Sequence, residues 1–200
     1  VHSLDGLPKV TREPLYFNES KKLLSWARDI GHSLGKNKST VDSAFYSALT
    51  AQKEDTHFTN QHSFPIKILL LGHRYTIEDP YLNMDLIKRL NAHNIGMITS
   101  GAVSEKQQNE QLQHFTKKPF WYDFRQAYSS AAYLTQHQQI DGIIYLTSFG
   151  CGMDAIIIEV IKEDIHQLPL LVVKLDEHTG DAGLDTRLEA FSDMLERRLS

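Results

Sequence analysis

Four short apolar segments constrain the fold of this chain more than any other feature. They lie at residues 66–71, 96–99, 142–147 and 168–175, and each is continuously apolar rather than alternating. Continuous runs of leucine and β-branched residues are typical of strands buried on both faces. Because helical patterns separate the runs, the order predicts an α/β fold. We expect a short parallel sheet of about four strands flanked by helices, a three-layer arrangement of Rossmann or flavodoxin type.

The helical segments are indicated by apolar residues that recur every three or four positions. One stripe follows the first apolar run, two helices are predicted at residues 125–137 and 154–163, and a last stripe follows the fourth run. The first stripe comprises Leu82, Leu86, Ile87 and Leu90, and the last comprises Leu184, Leu188, Phe191 and Leu195. Ser104 and Gln107 have the spacing of a capping box.

The N-terminal part has a different pattern. Two helical repeats separated by a polar turn at residues 35–39 predict a helical hairpin, with Ser39 or Thr40 as the cap of the second helix. Residues 55–63 have the composition of a linker. We therefore predict two parts: residues 1–63, a helical hairpin with its linker, and residues 64–200, the parallel α/β domain. The chain begins with Val1, and we expect it to be a fragment of a larger protein.

Composition excludes several classes of protein. The chain has 200 residues, a net charge of −4 and one cysteine. The charge argues against nucleic acid or an anionic membrane as a partner, and no apolar segment reaches the roughly 20 residues of a membrane helix. A single cysteine excludes an internal disulfide framework and predicts a reducing location, the cytoplasm. The ten histidines are scattered, and we interpret most of them as surface residues.

The segments that follow the strands are the candidate site, because ligands of open parallel sheets bind beyond the carboxyl ends of the strands. After the first strand, Gly72 permits a tight exit, and Asp79 before Pro80 is typical of a helix start. This segment is either a structural turn or one wall of a binding cleft to which Tyr75, Asp79 and Asn83 contribute.

The segment after the third strand contains the only cysteine. Cys151 lies between Gly150 and Gly152, after Ser148 and just before a predicted helix. The positive end of a helix dipole favours a thiolate, which binds metals or attacks electrophiles. The alternative is a small buried cysteine that fills a corner of the fold. We favour a functional Cys151, with Ser148, Gly150 and Gly152 in the cleft.

Charged groups cluster after the fourth strand. Asp176 and Glu177 follow the strand directly, and Arg187 lies about one turn into the next helix. They either belong to the same cleft as Cys151 or form a structural ion pair. A triad of Cys151, His178 and Asp176 is a weaker hypothesis, since neighbours along a chain seldom align in that way. Glycine-rich nucleotide motifs are absent.

In these three loops the chain resembles the C-terminal, dehydratase-like region (DUF2229-type) of CoA-substrate-specific enzyme activases. These proteins are relatives of the 2-hydroxyacyl-CoA dehydratase subunits. The resemblance extends from about Ile66 to the C-terminus, and the first 60 residues add little to it. It rests on Tyr75 with residues 79–83, on residues 141–144 leading into 148–154, and on residues 176–180 with 186–191.

The resemblance implies an iron–sulfur role. Members of the group hold a [4Fe–4S] or related cluster by cysteines at the ends of the sheet, and Cys151 matches one such ligand. An ATP-dependent activator supplies a low-potential electron, which drives the reductive dehydration of a 2-hydroxyacyl-CoA. Because this chain has one cysteine, the other ligands are expected from the remainder of a longer polypeptide or from a partner subunit. We predict that the chain alone holds no stable cluster and is inactive.

Two alternatives remain open at this point. The first is a non-redox module that binds acyl-CoA or another small ligand and in which the cysteine is structural. The second is a thiol enzyme with Cys151 as its nucleophile.

Overall fold

The computed structural model describes residues 11, 14–15, 19–55, 63–117, 119–176 and 180–199. The chain divides into two compact units, Val1–Thr56 and His57–Ser200. The division falls within the segment predicted as a linker, most of which lies outside the described residues.

The first unit contains the predicted helical hairpin. Helix α1 covers Ser20–Ser33 and helix α2 covers Lys38–Asp55. Arg28 of α1 donates two hydrogen bonds to the carboxylate of Asp42 of α2, at 2.7 and 2.8 Å, and so joins the two helices. The predicted cap of α2 was wrong: Asn37 Oδ1 accepts the backbone N–H of Thr40 at 2.9 Å, so the cap lies before Ser39 and Thr40. Asparagine is among the strongest N-cap residues, which explains the earlier helix start.

The second unit is built on a parallel sheet, as predicted. Its four strands are β1 (Ile66–Leu71), β2 (Ile95–Thr99), β3 (Gly142–Ser148) and β4 (Leu170–Leu175). They lie in the order β2-β1-β3-β4, and every neighbouring pair is parallel. From β1 the chain thus continues to β2 on one side of β1, and it later returns to form β3 on the other side. This reversal makes the gap between β1 and β3 the topological switch point of the sheet.

Helices connect and cover the strands. They are α3 (Arg74–Glu78), α4 (Leu86–Ala92), α5 (Glu105–Gln111), α6 (Tyr122–Gln136), α7 (Gly152–Asp164) and α8 (Asp181–Leu199), with a 3₁₀ turn at Ser100–Ala102. The predicted capping box of Ser104 and Gln107 is present at the start of α5.

The core has two sides because successive residues of each strand point to opposite faces. Leu69 and Leu71 of β1 pack with α6 and α7, whereas Ile68 and Leu70 pack with α4 and α8. All four predicted apolar residues of α8 are buried. Each fully buried aliphatic side chain contributes about 1.5–3 kcal/mol, so both faces of the sheet need a helical cover. The three-layer prediction is confirmed.

Among the predicted boundaries that shift, two have a clear local cause. The fourth strand begins at Leu170 rather than Leu168, because Pro169 has no N–H to donate to the ladder. The helix predicted from Asp79 begins only at Leu86, since Met84 and Asp85 adopt left-handed conformations with φ of 53° and 54°. Leu82 consequently lies outside the helix and is exposed.

None of the helices in the described residues combines the length and apolar character needed to cross a membrane.

Candidate functional site

The switch point of the sheet brings two loops together. Strands β1 and β3 are parallel, hydrogen-bonded neighbours. The residues after Leu71 and those after Ser148 therefore leave the sheet side by side, at the carboxyl ends of the strands. His73 lies on the first loop, and Cys151 lies on the second. Crevices at such switch points are the usual ligand sites of open α/β sheets.

Gly72 determines where His73 is placed. It adopts φ of 147°, and a Cβ at this position would lie 2.6 Å from the backbone carbonyl oxygen of Leu146 on β3. A side chain is therefore excluded by both conformation and space, as the sequence predicted for a tight exit. The close approach of the two strand ends brings His73 towards the start of α7.

His73, Cys151 and Asp154 form the chemical centre of this crevice, which we name the switch-point cluster. One ligand atom of each residue lies within 4.8 Å of the corresponding atoms of the other two. His73 Nε2 lies 3.4 Å from Asp154 Oδ1. Thiol, imidazole and carboxylate groups thus converge from two separate segments of the chain.

Asp154 is the most deeply buried residue of the cluster, with 1% of the residue exposed. Its Oδ1 accepts a hydrogen bond from the Tyr145 hydroxyl at 3.1 Å, and its Oδ2 accepts one from Thr147 Oγ1 at 2.6 Å. Burial, followed by the nearby carboxylate of Asp154, raises the pKa of Tyr145 well above its ordinary value. The phenol therefore remains a hydrogen-bond donor, and two hydroxyl groups fix the carboxylate.

The other ring nitrogen and the face of the His73 ring have contacts of their own. Its Nδ1 lies 3.7 Å from Asp123 Oδ2 at the start of α6. Its ring stacks on Tyr75, with centroids 5.5 Å apart and planes 9° from parallel. The His73 side chain is 25% exposed, so the ring lies at the boundary between the buried carboxylate and solvent.

Cys151 is partly exposed rather than sealed in the core. It is the residue that precedes α7, as predicted, and Gly150 before it adopts φ of 79°. Its backbone N–H donates to the carbonyl of Ser148 at 3.2 Å, which closes the turn after β3. The 13-residue helix α7 directs its N-terminus, with the partial positive charge of its dipole, towards the thiol.

The predicted residues of the first loop have structural contacts. Tyr75 is exposed and stacks on His73. Asp79 Oδ1 accepts the backbone N–H groups of Tyr81 and Leu82, at 2.9 and 3.2 Å. Asn83 is buried and donates to the carbonyls of Thr76 and Ile77, while its own oxygen accepts the N–H of Leu86. These bonds make Asp79 and Asn83 organisers of the segment between α3 and α4; a role for either in binding stays a prediction.

The structure gives the surroundings of most of the remaining predicted residues. Ser148, Gly150 and Gly152 form the turn that carries Cys151. Asp176 is exposed directly after β4, whereas Glu177 and His178 lie outside the described residues. The guanidinium of Arg187 donates to the backbone carbonyl of Val172, on the edge strand β4. Its predicted pairing with Asp176 or Glu177 stays a prediction.

Sequence reasoning missed His73 and Asp154 as members of the site. The sequence predicts that most of the ten histidines lie on the surface and gives His73 no role of its own, and it predicts Asp154 only as the start of a helix. A signal was available: His73 follows the glycine that ends β1, and Asp154 lies three residues after Cys151 at a helix start. Residues three positions apart are about one helical turn apart, so the side chains of Cys151 and Asp154 lie on the same side of α7.

Several exposed aromatic side chains occur in the segments near the cluster residues in the sequence, and we name them the aromatic rim. They occur in α3 and the turn after it, just before and at the start of α6, and directly after β3. The rim comprises Tyr75, Tyr81, Phe120, Trp121, Tyr122 and Phe149, of which Tyr81 and Phe120 are about nine-tenths exposed. Neighbouring exposed aromatic groups are typical of surfaces that bind another molecule.

Comparison with known proteins identifies a family for the first half of the chain. Residues 6–103 match the family model described as the CoA enzyme activase uncharacterised domain (DUF2229). The match contains the helical hairpin, β1, His73 and β2, so the N-terminal region contributes more than the resemblance indicated. It ends before β3, and Cys151 and Asp154 lie beyond it. No curated protein matches the chain significantly. Residues 6–103 of this chain are thus similar to the CoA enzyme activase uncharacterised domain (DUF2229).

Proposed function

We propose that this chain is a module of a CoA-substrate-specific enzyme activase and that the switch-point cluster is its working site. One observation carries the proposal: the ligand atoms of His73, Cys151 and Asp154 lie within 4.8 Å of one another at the edge of the sheet where ligands bind. The family match contains the loop of His73. The partly exposed thiol adds a reactive group to this edge.

An iron–sulfur cluster held by this chain alone does not fit the residues present. Clusters of the [4Fe–4S] type are held mainly by cysteine thiolates, usually four. The sequence has one cysteine, and the donors beside it are an imidazole and a carboxylate. A single thiolate leaves most of the iron atoms of a cubane without a protein ligand.

The iron–sulfur role is therefore proposed in a shared form. Cys151 supplies one thiolate, and the other ligands come from the remainder of a longer polypeptide or from a partner subunit in the cytoplasm. Such a cluster would supply the low-potential electron for reductive dehydration of a 2-hydroxyacyl-CoA, with an ATP-dependent activator as the electron source. The aromatic rim supports a covering polypeptide, because exposed aromatic side chains are enriched where one protein contacts another.

A second candidate is an acyl-CoA-binding module without redox chemistry. It is favoured by the hydrogen bonds that Asp154 accepts from Tyr145 and Thr147, since ligand sites of this kind contain a few precisely oriented polar groups. Substitution of Cys151 separates the two candidates. The shared cluster requires the thiol, whereas acyl-CoA binding without redox chemistry does not.

Alkylation of the single thiol tests whether the crevice is the site of CoA substrates. Iodoacetamide is added to the folded chain, and intact-mass spectrometry follows the reaction with and without lactoyl-CoA, a 2-hydroxyacyl-CoA. Cys151→Ser is the control that takes up no label. We expect lactoyl-CoA to slow the labelling of Cys151 in proportion to its occupancy. An unchanged rate at millimolar lactoyl-CoA would contradict a CoA-substrate site in this crevice.

Anaerobic reconstitution tests the shared-cluster form. Iron and sulfide are added to the isolated chain, and the product is examined by iron analysis and EPR spectroscopy. We expect no stoichiometric cluster, because one thiolate is insufficient. A stoichiometric, EPR-active cluster on the isolated chain would show that this chain needs no second polypeptide.

A further inference from the structure

We infer that His73, Cys151 and Asp154 form a complete three-ligand site for a single divalent transition-metal ion of the zinc class. The inference goes beyond the proposed function, because the site is assembled within this chain and requires neither a second polypeptide nor a CoA substrate. Because the chain has one cysteine, such an ion and the shared iron–sulfur cluster exclude each other in one molecule; the ion, unlike the shared cluster, gives His73 and Asp154 a role as ligands.

The donor chemistry is that of mononuclear zinc sites. Zinc binds cysteine sulfur, histidine nitrogen and aspartate oxygen in tetrahedral geometry, and sites with three protein ligands keep a fourth position for water or substrate. The cluster offers one donor of each kind. Cys151 and His73 are both partly exposed, so the fourth position would face solvent.

The distances fit after a small movement. Tetrahedral zinc with ordinary bond lengths separates its ligand atoms by about 3.4–3.6 Å. His73 Nε2 and Asp154 Oδ1 are already 3.4 Å apart. The sulfur lies within 4.8 Å of both partners, so it needs to approach by at most about 1.2–1.4 Å, a movement within reach of a rotation about the Cys151 side-chain torsion.

The surrounding polar contacts have the arrangement of an outer ligand shell. Metal-binding histidines usually direct their second ring nitrogen to a carboxylate. Here Nδ1 of His73 faces Asp123 Oδ2 at 3.7 Å, which leaves Nε2 for the metal. The carboxylate of Asp154 is likewise oriented by Tyr145 and Thr147. Inner and outer groups are thus in place together.

Charge favours the same ion. Asp154 is almost completely buried, and the neighbours described above are two neutral hydroxyl groups and a histidine. A buried carboxylate is costly without a compensating charge. A divalent cation between Asp154, His73 and the thiolate of Cys151 would supply that charge.

Titration with Co²⁺ under anaerobic, reducing conditions tests the site in the metal-free chain. We expect one Co²⁺ per chain, with the visible bands of four-coordinate cobalt and a thiolate-to-cobalt charge-transfer band. Cys151→Ser removes the charge-transfer band. His73→Ala weakens binding at least about tenfold, and Tyr145→Phe weakens it by about 10–100-fold through loss of an outer hydrogen bond.

The control is His166→Ala, which removes an exposed histidine in the turn before β4, and we expect it to bind Co²⁺ as the wild type does. His73 is a partly exposed loop residue, so its variant is expected to fold; the far-ultraviolet circular dichroism of each metal-free variant verifies this. Absence of stoichiometric binding overturns the inference. So does binding without a charge-transfer band, or binding that His73→Ala leaves unchanged.

The outcome is separable from that of the proposed function. Protection of Cys151 by lactoyl-CoA is measured in chelator-treated protein, where no divalent ion is present. Failure of Co²⁺ binding therefore leaves the lactoyl-CoA result intact, and failure of protection leaves the Co²⁺ result intact.

Discussion

The close approach of β1 and β3 at Gly72 makes a quantitative prediction about the substitution Gly72→Ala. Gly72 has φ of 147°, where side chains are strained by about 1–3 kcal/mol. The added Cβ would also lie 2.6 Å from the carbonyl oxygen and 3.1 Å from the Cβ of Leu146. Leu146 is a buried residue of β3 and cannot move freely. We expect a total loss of about 2–4 kcal/mol in the free energy of unfolding.

Two other glycines of the same site provide matched controls. Gly150 has φ of 79° with no atom within 4 Å of an added Cβ, so Gly150→Ala meets only the left-handed penalty of about 1–2 kcal/mol. Gly152 begins α7 and also has open space. Gly152→Ala is therefore expected to be neutral or to stabilise by up to about 1 kcal/mol.

Urea unfolding followed by circular dichroism measures all three variants. With a slope of about 2 kcal/mol per molar urea, Gly72→Ala lowers the midpoint by about 1–2 M. The expected order of destabilisation is Gly72→Ala, then Gly150→Ala, then Gly152→Ala. If Gly72→Ala were no more destabilising than Gly150→Ala, the close contact with β3 would not determine the position of His73, and the reasoning would be refuted.

Further substitutions test other contacts. Asn83→Ala removes three hydrogen bonds to buried backbone groups and is expected to cost about 2–4 kcal/mol in urea unfolding; a loss below 0.5 kcal/mol (roughly the level of a surface substitution) would contradict this structural role. Ser104→Ala removes one half of the capping box and is expected to cost about 0.5–2 kcal/mol, whereas an unchanged stability would argue against the cap. The hydrogen bonds from Arg28 lower the pKa of Asp42, so their stabilisation is present above the unfolded-state pKa and is lost as the pH falls through the folded-state pKa. Thermal unfolding should therefore find Asp42→Asn destabilising near neutral pH and harmless in strong acid; an equal effect at both pH values would contradict the pair.

The strands could be predicted because their signal is local. The segment at residues 66–71 is apolar at nearly every position, and the observed β1 has the same bounds. The exact ends of strands and starts of helices are harder to predict, because they depend on which side chain caps the helix and on the conformation of single residues. Asn37 rather than Ser39 caps α2, and the left-handed Met84 and Asp85 delay α4.

The composition of the site could be predicted only in part. Cys151 at the start of a helix follows from the order of elements along the chain. The partnership with His73 depends on β1 and β3 being neighbours, and strand order is not encoded in any local pattern. The buried hydroxyl of Tyr145 under Asp154 is likewise a tertiary contact between a strand and the helix that follows it.

The central claim is that His73, Cys151 and Asp154 converge into one functional centre, and anomalous diffraction from a zinc-soaked crystal tests it most directly. The account predicts a single strong zinc peak bonded to Cys151 Sγ, His73 Nε2 and an oxygen of Asp154. Zinc bound only at other sites, or a sulfur directed away from the imidazole and the carboxylate, would contradict it.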